Sequence, residues 1–138
     1  MELDYQKRLT DAGVKLSIQR LAIYAYIFEN KNHPDIETIY LSLHPRFPTL
    51  SKTTVYNTMK LFEEKELVQF IKIEDDKLRF DCEMKNHIHF KCLNCNSIFD
   101  VFYKETEDHS KYNSMLPKGF VTSSVQTYIW GTCNNCTK

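Results

Sequence analysis

"SKTTVYNTMKLFEEKELV", residues 51–68, is the stretch that decides the fold. Ser51 offers a side-chain acceptor just before a run of helical periodicity, so it caps a helix in which Val55, Met59 and Phe62 form one apolar stripe. Thr53, Tyr56, Asn57 and Lys60, also at helical spacing, fall on the opposite side. Hydroxyls, an amide and an ammonium are the groups that meet phosphates and base edges. The solvated face of any surface helix looks much the same, so the pattern alone fits a plain amphipathic helix as well as one that reads DNA.

Upstream, LSIQRLAIYAYIFEN (16–30) places Leu21, Ala25 and Phe28 at spacings of four and three, with Ile18 and Ala22 alongside. That spacing predicts a helix buried along this face. Asp35 caps DIETIYLSL (35–43), where Ile36, Ile39, Tyr40 and Leu43 repeat the pattern until HPRFP ends it with two prolines. Downstream, LVQFIKI (67–73), a turn at EDDK (74–77) and LRFDC (78–82) read as a two-stranded hairpin. Helices followed by a hairpin make a winged helix-turn-helix, expected over residues 1–80.

Charge does not announce a nucleic-acid partner. The chain has 138 residues, 18 Lys and Arg against 18 Asp and Glu, and a formal net charge of +0. A DNA-binding surface must therefore be local. The N-terminal MELDYQKRLTDAG lacks the basic-then-apolar pattern of a secretory signal, and no apolar run approaches the roughly 20 residues of a membrane span. No membrane association is expected, and the expected home is the cytoplasm.

In that reducing compartment, cysteine pairs read as metal ligands or redox thiols before they read as disulfides. CLNC (92–95) and CNNC (133–136) are two knuckles whose Cys92, Cys95, Cys133 and Cys136 make a soft tetrahedral set for zinc. The plainer alternative is two thiol pairs with separate roles. Cys82 stands apart and reads as a small buried hydrophobe. Between the knuckles SIFDVFY (97–103) alternates like a strand, TEDHSKYNSML (106–116) reads as a helix, and GFVTSSVQTYIWGT (119–132) reads as a long strand. These make a small α/β domain over 81–138, so the class is α+β. Short strands leave open edges, and pairing them across a two-fold axis is a common solution.

HIHFKC (87–92) adds a second problem. Along a strand His87 and His89 share a face, whereas Cys92 has the other parity, so the imidazoles and thiols belong to two sites. Asp81, Asp100 and His33 are available partners, but no periodicity joins them. His33, in the HPD that precedes a helix, is by default a loop histidine. His44 and His109 read as exposed helix residues with no role.

The recognition stretch, with its Thr-Val-Tyr and terminal Leu-Val, resembles that of the ferric uptake regulator (Fur) family. LSIQR resembles the family's Gln-Arg segment, and the likeness continues through RFD, HIHFKC, LNC and CNNC over nearly the whole chain. The resemblance implies a homodimeric metal-dependent repressor of double-stranded operator DNA, not an enzyme. It implies DNA contacts from Gln19, Arg20, Ser51, Thr53, Thr54, Tyr56, Asn57 and Lys60. The second half becomes a dimerisation domain with structural Zn(II), and a regulatory Fe(II) or Mn(II) is held by His33, Asp81, His87, His89 and Asp100. Three imidazoles and two carboxylates suit those ions.

Asp100, where many iron-sensing members carry Glu, resembles the peroxide-sensing PerR branch. There the resemblance implies oxidation of His33 or His87, loss of metal and release of DNA. Asn86 and Ile88 stand where several relatives have His and Asp, so a further metal site of those relatives is expected to be missing. Glu66 replaces the family's usual glycine, which predicts a looser end to the recognition helix. An iron-availability regulator is the alternative within the family, with zinc or manganese sensing behind it. Outside it the alternatives are a metalloenzyme, which would not need an outward Thr53, Tyr56, Asn57 and Lys60, and a zinc-clamped protein-binding module, which a gel shift with and without Mn(II) separates from a regulator.

Overall fold

The computed structural model describes residues 2–85, 87–103 and 112–138. They fall into two compact units, Met1–Met84 and Lys85–Lys138. The first unit contains α1 (Glu2–Asp11), α2 (Ile18–Glu29), α3 (Ile36–Leu43), α4 (Lys52–Glu64), β1 (Gln69–Ile71) and β2 (Arg79–Asp81). The second contains β3 (His87–Cys92), β4 (Ile98–Phe102) and β5 (Thr127–Gly131).

Three of the helices start on side-chain caps. Ser17 accepts from the Arg20 N–H, Asp35 from Thr38 and Ser51 from Thr54, each satisfying one of the amides a helix leaves unpaired at its start. Two helices end alike. Val14 N–H reaches Leu9 O at 2.9 Å and Gly13 N–H reaches Thr10 O at 3.0 Å, with Gly13 at φ 83. After α4, Leu67 N–H reaches Phe62 O at 2.9 Å and Glu66 N–H reaches Glu63 O at 3.0 Å, with Glu66 at φ 59. Both are Schellman closures, which need a left-handed residue that glycine adopts without strain. The looser end expected from Glu66 is therefore wrong. The closure is complete, and Glu66 bears its conformational cost.

Helix α1 was not foreseen. Tyr5 and Leu9, one turn apart, are both buried, and the Tyr5 ring packs edge-on to Tyr24 with centroids 5.8 Å apart. The Tyr24 ring in turn meets Phe62 of α4 edge-on at 5.7 Å. Val55, Met59 and Phe62 are fully buried with Ile23, Ile27, Ile39 and Phe80, each side chain contributing about 1.5–3 kcal/mol of apolar transfer. The phase expected for α2 needs correction. Ile23, Tyr24 and Ile27 form its buried face; Leu21, Ala22, Ala25 and Phe28 are half-buried, and Ile18 is 75% exposed. Isoleucine and tyrosine at 23, 24 and 27 make a second apolar row at helical spacing, and the core shared with α1, α3 and α4 buries it.

The wing is a two-stranded antiparallel pair with Gln69 opposite Asp81 and Ile71 opposite Arg79. In the second unit the order is β4-β3-β5, with β4 antiparallel and β5 parallel to β3. The long strand expected over 119–132 is confined to Thr127–Gly131. Its register pairs Thr127 with Ile88, and residues 119–126 form no ladder with the described residues. Most of the helix expected over 106–116, including His109, lies outside the described residues. His44 is not the exposed helix residue expected. It caps α3, half-buried and stacked on Tyr40 at 4.9 Å.

Candidate metal centres and nucleic-acid interface

Strand β3 carries donors of two kinds because its side chains alternate. In the register, His89 stands opposite Asp100 on one side and Tyr128 on the other. His87 Nε2 lies 3.4 Å and His89 Nε2 3.6 Å from Asp100 Oδ1, and both histidines are buried. The two imidazoles tilt together with centroids 4.3 Å apart. His87 Nδ1 is 2.8 Å from the Lys85 carbonyl oxygen. A carbonyl only accepts, so Nδ1 carries a proton, and Nε2, on the Asp100 side, is the nitrogen that could bind a metal. A hydrogen bond of this kind fixes the tautomer and orientation of a histidine that binds a metal. Lys91, the next residue of that parity, is also buried. Sequence reasoning passed over it, although alternation from His87 and His89 marks the position.

The opposite face of the sheet is apolar. Phe99 and Ile129 flank Phe90, and Val101 faces Ile88. Phe99 is 39% exposed, Val101 47% and Ile129 43%.

At the far end of β3 the two knuckles converge. The sulfurs of Cys92, Cys95, Cys133 and Cys136 lie within 4.8 Å of one another, and all four are free thiols. Each CxxC is bent by a turn: Asn96, at φ 64, donates to Cys92 O, and the Cys136 and Thr137 amides donate to Cys133 O. Amide donation from Cys95, then Cys133, lowers the Cys92 thiol to about 6. The Ser97 hydroxyl lowers Cys95. Cys136, although the Asn94 amide favours its thiolate, is pushed up to about 11 by the Cys133 sulfur, burial and the remaining two sulfurs. The first proton therefore leaves readily and the last resists the accumulated charge. A divalent cation removes that resistance, and four thiolates without an open position fit zinc.

In the first unit His33 and Asp81 are buried with His33 Nε2 3.7 Å from Asp81 Oδ2. The other oxygen of Asp81 accepts the Glu83 amide at 2.9 Å. His33 has φ 52, a left-handed conformation that costs an L-residue about 1–2 kcal/mol. Strand β2 holds it there. Phe80 N–H donates to Pro34 O at 3.0 Å and the Arg79 guanidinium donates to His33 O at 3.0 Å. Cys82, half-buried, lies with its sulfur 3.8 Å from Ile27 O, and burial raises its thiol.

Helix α4 turns Thr53, Tyr56, Asn57 and Lys60 outward, all exposed. Ser51 and Thr54 are engaged with each other at 2.9 Å between hydroxyls. Gln19 donates to the Thr49 hydroxyl at 3.3 Å and Arg20 to Lys15 O at 2.7 Å. Gln19 and Arg20 line a cleft with Thr54 and Asn57, so the upstream segment and α4 share one surface.

The profile of the ferric uptake regulator family matches residues 11–129. The peroxide operon regulator of Bacillus subtilis is 34% identical over 130 residues, covering 94% of this chain and 89% of that protein. The ferric uptake regulator Fur of Helicobacter pylori superposes with a TM-score of 0.78 at 18% identity, over 100% of this chain and 95% of that one. PerR from Streptococcus pyogenes, a peroxide sensor, matches with a TM-score of 0.54 at 26% identity, over 98% and 92%. The chain belongs to the ferric uptake regulator family.

Proposed function

We propose that this protein is a metal-dependent transcriptional repressor of the peroxide-sensing type, acting as a homodimer on double-stranded operator DNA. The observation that carries this reading is the convergence of His87, His89 and Asp100 on one face of the sheet, apart from the four thiols. The relatives named as peroxide regulators support the branch.

In this reading His33 and Asp81 of the first unit and His87, His89 and Asp100 of the second supply one regulatory ion, Fe(II) or Mn(II). Borderline imidazoles with hard carboxylates favour these ions over soft ones. Zn(II) occupies the four cysteines and has a structural role. Iron(II), when bound, supplies the electrons that reduce a peroxide, which manganese(II) does not do readily. The chain's own part is to hold and release. His33 contributes the imidazole of the DNA-binding unit, so its engagement ties that unit to the dimerising one, and loss of the His33 or His87 lone pair unties it. Such coupling is typically about 1–3 kcal/mol. Thr53, Tyr56, Asn57 and Lys60 face the DNA, assisted by Gln19, Arg20, Ser51 and Thr54. The apolar sheet face of Ile88, Phe90, Phe99, Val101 and Ile129 is where a second copy packs.

Anaerobic Fe(II) loading, peroxide treatment and intact mass test the branch. One added oxygen mapped to His33 or His87, together with loss of operator binding, is the expected result. Asp100→Glu should keep Mn(II)-dependent operator binding but respond to peroxide more slowly. DNA release that follows only metal removal, with no added oxygen, would make the protein an iron-availability regulator.

A further inference from the structure

The wing does more in this molecule than extend from the helices. Glu74, in the turn between β1 and β2, forms a two-point ion pair with Arg79, Nε to one carboxylate oxygen and Nη2 to the other at 3.4 Å. Both side chains are largely buried, Arg79 19% and Glu74 9% exposed. A guanidinium held in this way has little freedom left. Its remaining edge, Nη1, points to the carbonyl oxygen of His33 at 3.0 Å.

That carbonyl belongs to a residue in the left-handed region, which persists only when its surroundings over-determine it. Two bonds on one side of the residue supply this. Arg79 holds the His33 carbonyl and Phe80 N–H holds the next one, that of Pro34, while Asp35 bridges to Arg79 along the backbone. Asp81 lies two residues beyond Arg79 on the same strand, its carboxylate 3.7 Å from the His33 imidazole. A single strand therefore carries one ligand of the first unit directly and aims the other through a guanidinium.

We propose that Arg79, locked by Glu74, is a positioning residue for His33, setting the affinity of the regulatory metal from a point that touches neither the metal nor its ligand atoms. The proposal rests on the regulatory-site reading given above. Without the guanidinium, His33 relaxes to an ordinary backbone conformation and its ring leaves Asp81. Outer partners of this kind typically change metal affinity 10- to 100-fold.

The test uses the full-length, zinc-replete protein and Mn(II) as the probe, with free Mn(II) followed by its aqueous electron paramagnetic resonance signal. Arg79→Met keeps the aliphatic stem and removes the donors. It should weaken Mn(II) binding roughly 10-fold or more with zinc content unchanged, and Arg79→Lys should recover part of the loss. Glu74→Gln, which leaves the guanidinium in place but frees it to turn, should give a smaller loss and serves if Arg79→Met does not fold. In a His33→Ala background, Arg79→Met should weaken Mn(II) no further, because an effect exerted through His33 vanishes with it. A general loss of stability would instead add to the His33→Ala effect, and that sum overturns the proposal. Wild-type Mn(II) affinity in Arg79→Met or, if that variant does not fold, in both Glu74→Gln and Arg79→Lys also overturns it. His33→Ala separates the two levels. If His33→Ala weakens Mn(II) and Arg79→Met does not, only the positioning role fails. If His33→Ala itself binds Mn(II) normally, the regulatory-site reading fails and this one with it.

Discussion

Replacing Glu66 with glycine is expected to stabilise the first unit. Glu66 is exposed, and its backbone closes α4 at φ 59 with the same two hydrogen bonds that Gly13 makes after α1 at φ 83. A side chain at such a φ costs about 1–2 kcal/mol, because Cβ crowds the following carbonyl. Glycine removes that cost but returns about 0.5–1 kcal/mol through the greater freedom of the unfolded chain. The net gain is about 0.5–1 kcal/mol. For a unit of this size 1 kcal/mol moves the midpoint about 4–8 °C, so calorimetry of the full chain should show the first unit's transition rising by roughly 2–8 °C. Glu66→Ala is the control, since it deletes the charge and keeps Cβ. It should not gain. An equal rise in Glu66→Ala and Glu66→Gly would place the effect in charge, and no rise in either would refute the argument from backbone strain.

The remaining expectations concern the cap, the clamp and the reading face. Asp35 would be raised by burial alone, but the Thr38 hydroxyl and amide with Lys77 and Arg79 hold its carboxyl below the usual value. A depressed folded-state value gives stability that is present above the ordinary carboxylate range and lost as pH falls through the folded value. Asp35→Ala should therefore cost about 1 kcal/mol at pH 7, with urea midpoints of variant and wild type converging in acid. Cys133→Ser should lose zinc and unfold the second unit, because a structural zinc site contributes on the order of 10 kcal/mol; a zinc-free variant with native hydrogen-exchange protection in β3 would refute the clamp. Asn57→Ala should weaken operator binding by roughly 1–3 kcal/mol if its amide reads a base. Lys60→Ala should weaken all sequences alike and flatten the salt slope by about one, both measurable by fluorescence anisotropy over a salt series.

Much of this was legible because period and parity are local. The caps Ser51 and Asp35, the stripe of Val55, Met59 and Phe62, and the separation of His87 and His89 from Cys92 follow from spacing alone, and the structure has each of these features. The misses are tertiary. Two apolar rows on α2 satisfy the same period, and only the core shared with α1, α3 and α4 chooses between them. The strand over 119–126 failed because β propensity does not supply a partner, and none pairs with it among the described residues. Glu66 was misread because composition does not reveal that a helix end will impose its geometry on a poorly suited residue. Arg79 went unnoticed since its partners, Glu74 and the His33 carbonyl, are brought to it by a turn and by a contact 46 residues away.

Strand β3 ends in Cys92 and begins at His87, so one stretch of backbone is shared by two chemistries that differ by a half-step of the pleat. Sliding that strand by a single residue against β5, which leads into Cys133 and Cys136, would exchange its faces, presenting Ile88 and Phe90 where the imidazoles stand. Hydrogen bonding alone discriminates poorly between such frames. The thiol at its end does not tolerate the slide, because Cys92 must meet three other sulfurs within 4.8 Å. In the proposed reading, a structural zinc at one end of the strand would thus work as a reading-frame marker for the regulatory ion at the other. Losing that zinc would then cost His87 and His89 their register together with the fold of the unit.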